Sequence, residues 1–530
     1  MSSIMKSTLI VALSTMTSRI LGFVREALFA AFFGATGITD AFFIAFRIPN
    51  LFRRLVTEGA LSVSFIPVYT ETRIKRGEGE ALELAQKTFT LLLSATAAIV
   101  LAGVVFSPEI AGLMGWGIDD PFVLGTAARL NRMLFPFLLS AVFVAFSMGV
   151  LNSHGFFFAP SFATVLLNAG IISGILVSVS FMAEPIYGVA AGLLGGAVLQ
   201  CLIQVPYLAK SGFRMKFSPD TAHPGVRKIF SLALPSLLGI AVYQVNILVS
   251  TVMASRLTRG SISYLYYSDR LTELVLGVFI MSIGNVILPE MSRLSASSEI
   301  GRIRSLYASS IRASLFLAVP AMAALAAVGY PVISVLFMRG SFGPEDARMT
   351  YRALVFSCLG LAPIAVLRIA APTFYSLSDT RSPAIAAAVS FIVNIAAGWL
   401  LMGSSLKHGG LALANSISVT VQMVLLQLWL RKKIGAIGAR DILLPLAKYA
   451  AAAALMACST ALIASFFDWT SGSFGSRALG LFLIVSAGML VYFLACLAMG
   501  TGEVDYLLGK LKKKWRIDRG GDLTGRGKRL

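Results

Sequence analysis

Charged residues inside apolar stretches near the N-terminus are the first candidates for chemistry. Residues 39–69 read TDAFFIAFRIPNLFRRLVTEGALSVSFIPVY. The charged side chains of this segment are Asp40, Arg47, Arg53, Arg54 and Glu58. The planar guanidinium fork of arginine matches phosphate and carboxylate oxygens. If the segment lies in a membrane, each charge costs free energy, so these residues are expected to serve a function.

Spacing predicts how some of these charges pair. Arg54 and Glu58 are four residues apart and Arg270 and Glu273 three, so each pair shares one helix face. Arg19 and Glu26 also share a face, since seven residues make about two helical turns. The acids inside apolar runs number only five, namely Glu26, Asp40, Glu58, Asp269 and Glu273. Because arginines outnumber them, the pattern predicts an anion-binding cavity, with a purely structural ion-pair network as the alternative.

The composition indicates an integral membrane protein. Hydrophobic residues make up 57% of the chain and charged residues only 13%. A span needs about 20 apolar residues, and runs this long exclude barrel strands, so the predicted fold is all-α. About fourteen spans are predicted: 8–33, 40–70, 86–106, 122–151, 161–181, 186–209, 229–255, 262–290, 305–329, 349–375, 383–402, 408–430, 442–467 and 477–500. The second span contains Pro49, Gly59 and Pro67 and is expected to tilt or break.

Lysine and arginine in the connections predict the orientation. With the N-terminus inside, 27 of these cations lie on the cytoplasmic side and six outside. Both termini are therefore predicted to be cytoplasmic, and much of the net charge of +20 reflects topology rather than nucleic-acid binding. The basic tail KLKKKWRIDR is expected to rest on anionic lipid headgroups or to be a disordered flank.

Twelve cations remain inside the spans, and their depth distinguishes them. They are Arg19, Arg25, Arg47, Arg53, Arg54, Arg129, Arg132, Arg270, Arg312, Arg352, Arg368 and Lys448. Facing lipid, a dozen charges would cost on the order of 30 kcal/mol. Arg19, Arg25 and Arg53 lie far from both ends of their spans, so they are predicted to line a water-filled cavity. Those near helix ends can extend toward the headgroups instead.

An internal repeat predicts two lobes. Pro67 and Pro289 are separated by 222 residues, and six further pairs by 223: Pro108 and Pro331, Arg129 and Arg352, Pro160 and Pro383, Gln204 and Gln427, Lys210 and Lys433, Gly212 and Gly435. Each copy holds six spans, so the copies share one orientation. The predicted divisions are 1–215 (helices 1–6), 216–436 (helices 7–12), 437–502 (helices 13 and 14) and a basic cytoplasmic tail, 503–530. Two lobes around a cleft suggest alternating access.

Four stretches carry a family resemblance. They are TSRILGFVREALFAAFFG (17–34), the segment 39–69, YYSDRLTELVLGVFIMSIGNVILPEMS (266–292) and APTFYSLSDTRSP (371–383). They resemble the MurJ (MviN) family of lipid II flippases, in the multidrug/oligosaccharidyl-lipid/polysaccharide exporter superfamily. The resemblance implies fourteen helices in the bacterial cytoplasmic membrane, a cationic cavity, and export of the undecaprenyl-diphosphate-linked disaccharide-pentapeptide of peptidoglycan synthesis.

The same resemblance assigns roles to particular residues. The functional arginines and aspartate of the family fall on Arg19, Arg25, Arg53, Arg270 and Asp40. The four arginines are expected to bind the diphosphate, with Glu26, Arg47, Arg54, Glu58, Asp269 and Glu273 in support. Glu26 stands where the family often has aspartate. Asp40 and Glu58 are expected to hold arginines in place or to weaken their grip on substrate.

Other classes of protein remain as alternatives. An exporter of another lipid-linked oligosaccharide, or a cation-coupled drug exporter of the same superfamily, would share the architecture. A membrane enzyme is not predicted, because the chain shows no catalytic or metal-ligand spacing. The sequence predicts no cofactor and no metal, and it does not identify a coupling ion. Membrane lipids and the cell-wall synthesis machinery are further expected partners.

Overall fold

The chain folds into helices joined by turns. The structure, a computed structural model, describes residues 3–220, 223–277, 281–436 and 438–504, and this part contains no β-strand. The all-α prediction is therefore confirmed. The helices are α1 Ser3–Phe33, α2 Gly37–Arg54, α3 Ile66–Arg76, α4 Glu78–Val105, α5 Ser107–Met114, α6 Pro121–Leu134, α7 Phe137–Ser153, α8 Phe158–Phe181, α9 Pro185–Lys210, α10 Pro224–Ser255, α11 Ser261–Val275, α12 Met281–Ala296, α13 Ile300–Leu336, α14 Pro344–Cys358, α15 Leu361–Ser376, α16 Arg381–Met402, α17 His408–Ile434, α18 Ala439–Ala464 and α19 Phe474–Ala498.

Most of the predicted spans coincide with long apolar helices. Within the described residues, ten helices are long and apolar enough to cross a membrane, and α14 with α15, bent by 43°, makes an eleventh. The predicted spans 40–70, 229–255 and 262–290 are helical wherever the structure describes them. The first of these carries four charges on α2 alone. The count of fourteen is consistent with the fold and stays a prediction.

The second predicted span changes helix type instead of unfolding at its centre. After α2, residues Leu55–Phe65 form a π-helical segment, which leads directly into α3. Pro49 lies within α2, and Pro67 occupies the first turn of α3, where its missing N–H is tolerated. A π-helical stretch of this length is rare, and π-bulges are common at functional sites. The expected break thus takes the form of a wider helical turn beside Arg53 and Arg54.

Two compact units make up the chain. The N-unit comprises the residues up to Tyr264 together with Phe337–Asp346, and the C-unit comprises Leu265–Leu336 and the residues from Ala347 onward. Aromatic side chains centre the N-unit core, with Phe65, Phe89 and Phe146 packed together. The C-unit core includes Tyr307, Phe374 and Tyr449. The divisions predicted at 215 and 436 stay a prediction.

Helix boundaries repeat with the same offset as the residues. The first residues of three helix pairs are each 223 positions apart: Pro121 of α6 and Pro344 of α14, Phe158 of α8 and Arg381 of α16, Pro185 of α9 and His408 of α17. Gly212 and Gly435, also 223 apart, follow α9 and α17 with φ of 78° and 84°. Glycine adopts this left-handed conformation without strain. Corresponding stretches of sequence therefore form corresponding helices.

Helices α8 and α9 pack backbone against backbone. A Cβ atom added to Gly174 would lie 2.5 Å from the Gly188 carbonyl oxygen, and one added to Gly192 would lie 2.6 Å from the Gly170 carbonyl oxygen. Small residues at such a contact let membrane helices approach closely. The pair thus forms two separate, tightly packed helices.

We predict that Gly192→Ala destabilises the protein by about 1–3 kcal/mol, because the added methyl group must separate the two helices. Thermal unfolding of purified variants in detergent measures the effect. Gly195→Ala on the same helix is the matched control, since no heavy atom lies within 4 Å of its Cβ position. The control should match or exceed wild-type stability, because alanine favours helix formation. Equal behaviour of the two variants would contradict the packing described.

Candidate functional site

Arg25 is held in place by neighbours from its own helix and from α8. Its Nη1 donates to Asn168 Oδ1 at 3.0 Å, and its Nη2 pairs with Glu26. The side-chain nitrogen of Asn168, Nδ2, in turn donates to the Ser18 carbonyl oxygen at 3.1 Å. Glu26 is buried, whereas a quarter of the Arg25 side chain is exposed. The guanidinium group is therefore fixed in orientation and still reachable from outside the protein.

Pairing within α1 differs from the prediction for Arg19 and Glu26. Glu26 bonds to the adjacent Arg25, while Arg19 is exposed and makes no ion pair in the described part of the chain. The sequence spacing places Arg19 and Glu26 on one helix face. It does not reveal that Arg25, which also bonds to Asn168 of α8, is the residue that pairs with Glu26. Arg19 and Arg25 remain on the same helix, six residues apart.

The next arginines lie on α2. Arg53 donates from both Nε and Nη2 to Asn50 Oδ1, at 3.0 and 2.9 Å. Arg47, Arg53 and Arg54 are all partly buried. The side chain of Glu58, the predicted partner of Arg54, lies outside the described residues. A second arginine of the predicted set is thus oriented by a carboxamide oxygen.

Asp40 caps the start of α11. Its Oδ2 accepts from the Gly260 amide at 2.7 Å, and its Oδ1 accepts from the Ser263 amide at 2.9 Å and the Ser263 hydroxyl at 2.6 Å. The carboxylate is 4% exposed. Its partners in the described chain are thus backbone and serine, not the arginine that was predicted. A carboxylate at a helix N-terminus meets unsatisfied N–H groups and the positive end of the helix dipole.

The turn before α11 requires glycine. Gly260 has φ of 86°, and a Cβ atom there would lie 2.5 Å from the Ala35 carbonyl oxygen. Only glycine lets the backbone approach this closely while its amide points at Asp40. The cap and the turn therefore depend on each other. Residues that follow α1 contact the turn at the start of α11.

The predicted pair on α11 is confirmed. Arg270 Nη1 lies 2.6 Å from Glu273 Oε2, and its guanidinium carbon lies 4.6 Å from the centre of the Tyr266 ring. Arg270 and Glu273 are partly buried, and Asp269 beside them is exposed. Of the predicted site residues, Arg25 and Glu26 lie together, and Arg270 lies with Glu273. Arg19, Arg53 and Asp40 belong to the N-unit.

Comparison with known proteins decides the family. The family model for the lipid II flippase MurJ matches residues 29–480. A probable lipid II flippase MurJ of Vibrio cholerae is 34% identical over 512 residues, covering 94% of this chain and 96% of the relative. The chain belongs to the lipid II flippase MurJ family. A probable lipid II flippase MurJ of Haemophilus influenzae is 36% identical over 433 residues, with 79% and 84% covered.

Solved structures agree with this membership of the MurJ family. The structure of a lipid II flippase MurJ in an inward closed conformation has a TM-score of 0.77 and 25% identity, covering 93% of this chain and 98% of that one. An inward-facing MATE family transporter of the MOP superfamily has a TM-score of 0.68 at 14% identity, which shows a shared fold. The chain is accordingly a multi-pass membrane transporter, not an enzyme.

Sequence reasoning missed the neutral partners of the charges. Asn168, Asn50 and Ser263 each bond to a predicted site residue, yet none was singled out. Asn168 offered a signal, because a carboxamide in the apolar run LLNAG needs a hydrogen-bond partner. Ser263 offered no such signal, because a serine near the start of a helix is common and does not by itself indicate a particular partner. Within the MurJ family fold, these residues determine how the charges are oriented.

We predict that Asp40→Asn lowers the free energy of unfolding by about 1.5–3 kcal/mol, since hydrogen bonds to a charged group are lost. The carboxamide offers one acceptor atom, and its NH2 group would face an N–H donor. Thermal unfolding in detergent measures the change. Ser263→Ala removes one donor and keeps the carboxylate, so it should cost less. A Ser263→Ala variant less stable than Asp40→Asn would show that the carboxylate is not the main stabilising group.

Proposed function

We propose that this protein moves lipid II from the inner to the outer face of the bacterial cytoplasmic membrane. The matched family model and the names of the relatives support this substrate. The observation that carries the proposal is the set of arginines on α1 and α2, of which Arg25 and Arg53 are oriented by carboxamide oxygens. Such groups suit a diphosphate, because guanidinium binds phosphate oxygens in a bidentate manner.

The chemistry of the substrate explains why a protein is needed. Lipid II carries a diphosphate, a disaccharide-pentapeptide and a long polyprenyl chain. Its headgroup cannot cross hydrocarbon unaided, because many polar groups would lose their water together. A cationic cavity replaces that water for the diphosphate while the prenyl chain stays in lipid. Arg19, Arg25, Arg53 and Arg270 are the proposed contacts.

Alternating access is the proposed transport cycle. The cavity opens first to the cytoplasm, binds the headgroup, and then opens to the outer side. Both termini lie in the cytoplasm in this proposal, as the 27 to six distribution of cations supports. Asp40 serves the cycle by holding the start of α11, and Glu273 tempers the charge of Arg270. Enzymes of cell-wall synthesis are proposed as the suppliers and consumers of the substrate.

The test is the sidedness of lipid II in cells depleted of the protein and rescued with variants. Arg25→Ala and Arg53→Ala should each reduce transport about tenfold or more, since each loses a charge-assisted contact. Precursor would then accumulate on the inner face. Arg25→Lys keeps the charge but loses the fork, so it should transport at an intermediate rate.

Two controls make this result specific. Arg431→Ala removes an exposed cation at the end of α17 and should transport at the wild-type rate. Asn168→Ala leaves the Arg25 charge and its pair with Glu26 but removes the contact to Nη1, so it should be less impaired than Arg25→Ala. Normal sidedness with all arginine variants, at wild-type abundance, would refute the proposed diphosphate site. Normal sidedness after depletion of the protein itself would favour export of a different lipid-linked oligosaccharide.

A further inference from the structure

A cationic pocket lies in the C-unit. It has a volume of about 630 Å³ and is formed by the turn between α15 and α16 and by the last turns of α17. Its charged lining consists of Asp379, Arg381, Lys432 and Lys433. The transport proposal uses none of these residues, so their presence around one pocket needs its own explanation.

The positive charge of the pocket is only partly cancelled. Asp379 Oδ2 lies 3.0 Å from Lys433 Nζ and also accepts from the Ser382 hydroxyl at 2.7 Å. Burial raises the pKa of Asp379, but the bonds from Ser382 and Lys433 outweigh it and lower that pKa to about 2. The negative charge of Asp379 thus offsets the positive charge of Lys433. Arg381 and Lys432 are exposed and make no ion pair within the described residues.

The same pocket has an apolar side. Leu377, Ile385 and Trp429 also line it. Ile385 is 43% exposed. Tryptophan and tyrosine are enriched where membrane meets water, since one end of each ring system is polar. A ligand in this pocket would meet two free cations and, beside them, a surface suited to hydrocarbon.

The internal repeat shows that the fold itself does not require these cations. The positions 223 residues before Arg381 and Lys432 are Phe158, the first residue of α8, and Ala209, near the end of α9. Only Lys433 has a basic counterpart, Lys210. The corresponding helices in the N-unit therefore form without the two cations. Arg381 and Lys432 are a property of this pocket and not of the helix pair that carries it.

We propose that this pocket binds the phosphate headgroup of an anionic glycerophospholipid from the cytoplasmic leaflet. Arg381 and Lys432 contact the phosphate, and Trp429 and Ile385 contact the glycerol and the first acyl carbons. Basic pockets between membrane helices on the cytoplasmic side are suited to such headgroups. The apolar side favours a lipid over free phosphate, which would gain nothing from Trp429 or Ile385. The leaflet assignment rests on the orientation proposed above.

Binding of dioctanoyl phosphatidylglycerol to the purified protein in detergent tests this proposal. Native mass spectrometry and the melting temperature report binding, and dioctanoyl phosphatidylcholine and inorganic phosphate serve as separate probes. Phosphatidylglycerol should bind wild type and raise its melting temperature. Arg381→Gln with Lys432→Gln should weaken that binding roughly 30-fold, because each cation near a phosphate contributes about fivefold.

The matched control removes two exposed cations that do not line the pocket, Arg214→Gln with Arg431→Gln. It should bind phosphatidylglycerol as wild type does. If the control lost binding equally, the loss would be explained by net charge alone, and the proposal would be overturned. Equal binding of phosphatidylcholine would also overturn it, as would inorganic phosphate binding as tightly as phosphatidylglycerol. If the double variant fails to fold, Lys432→Gln alone should still weaken binding about fivefold. The assay is independent of transport, so its failure would leave the lipid II proposal standing.

Discussion

A charge inside a membrane must be hydrogen-bonded, paired or hydrated, and this requirement governs the polar contacts of the protein. Arg25 meets it with a carboxylate beside it and a carboxamide from α8. Asp40 meets it with three donors at the start of α11. The two solutions differ in their effect on a ligand. Arg25 remains a quarter exposed beside its partners, whereas the buried Asp40 is fully engaged within the protein.

Close contact between backbones is the second condition on which this arrangement depends. Asn168 can reach Arg25 because α8 lies against α1, and α8 is itself seated on α9 through facing glycines. The Asp40 cap similarly needs Gly260, whose backbone passes close to Ala35. These glycines therefore help to determine where the charges lie. Their contribution to function is indirect and acts through helix spacing.

The sequence predicted the fold well because length, hydrophobicity and proline positions act locally. The contact between Arg270 and Glu273 was predictable for the same reason, since three residues on one helix define a face. The partner of Arg25 was not predictable, because Asn168 is 143 residues away and only tertiary packing brings the two together. The π-helical form of Leu55–Phe65 was also missed, as proline and glycine positions indicate a disturbance but not its hydrogen-bonding pattern.

The constant spacing of the helix starts has a consequence for how this protein tolerates change. The starts of α6, α8 and α9 keep a register of 223 residues with those of α14, α16 and α17, so neither copy has a net gain or loss of residues between the first and the last of these starts. Surface loops usually accept insertions easily. Here each stretch from one of these helix starts to the next has kept its total length, although α8 is longer than α16 and the connection after it is shorter. The side chains have diverged, as Phe158 and Arg381 show. The two copies are thus frames of one size that carry different side chains at corresponding positions.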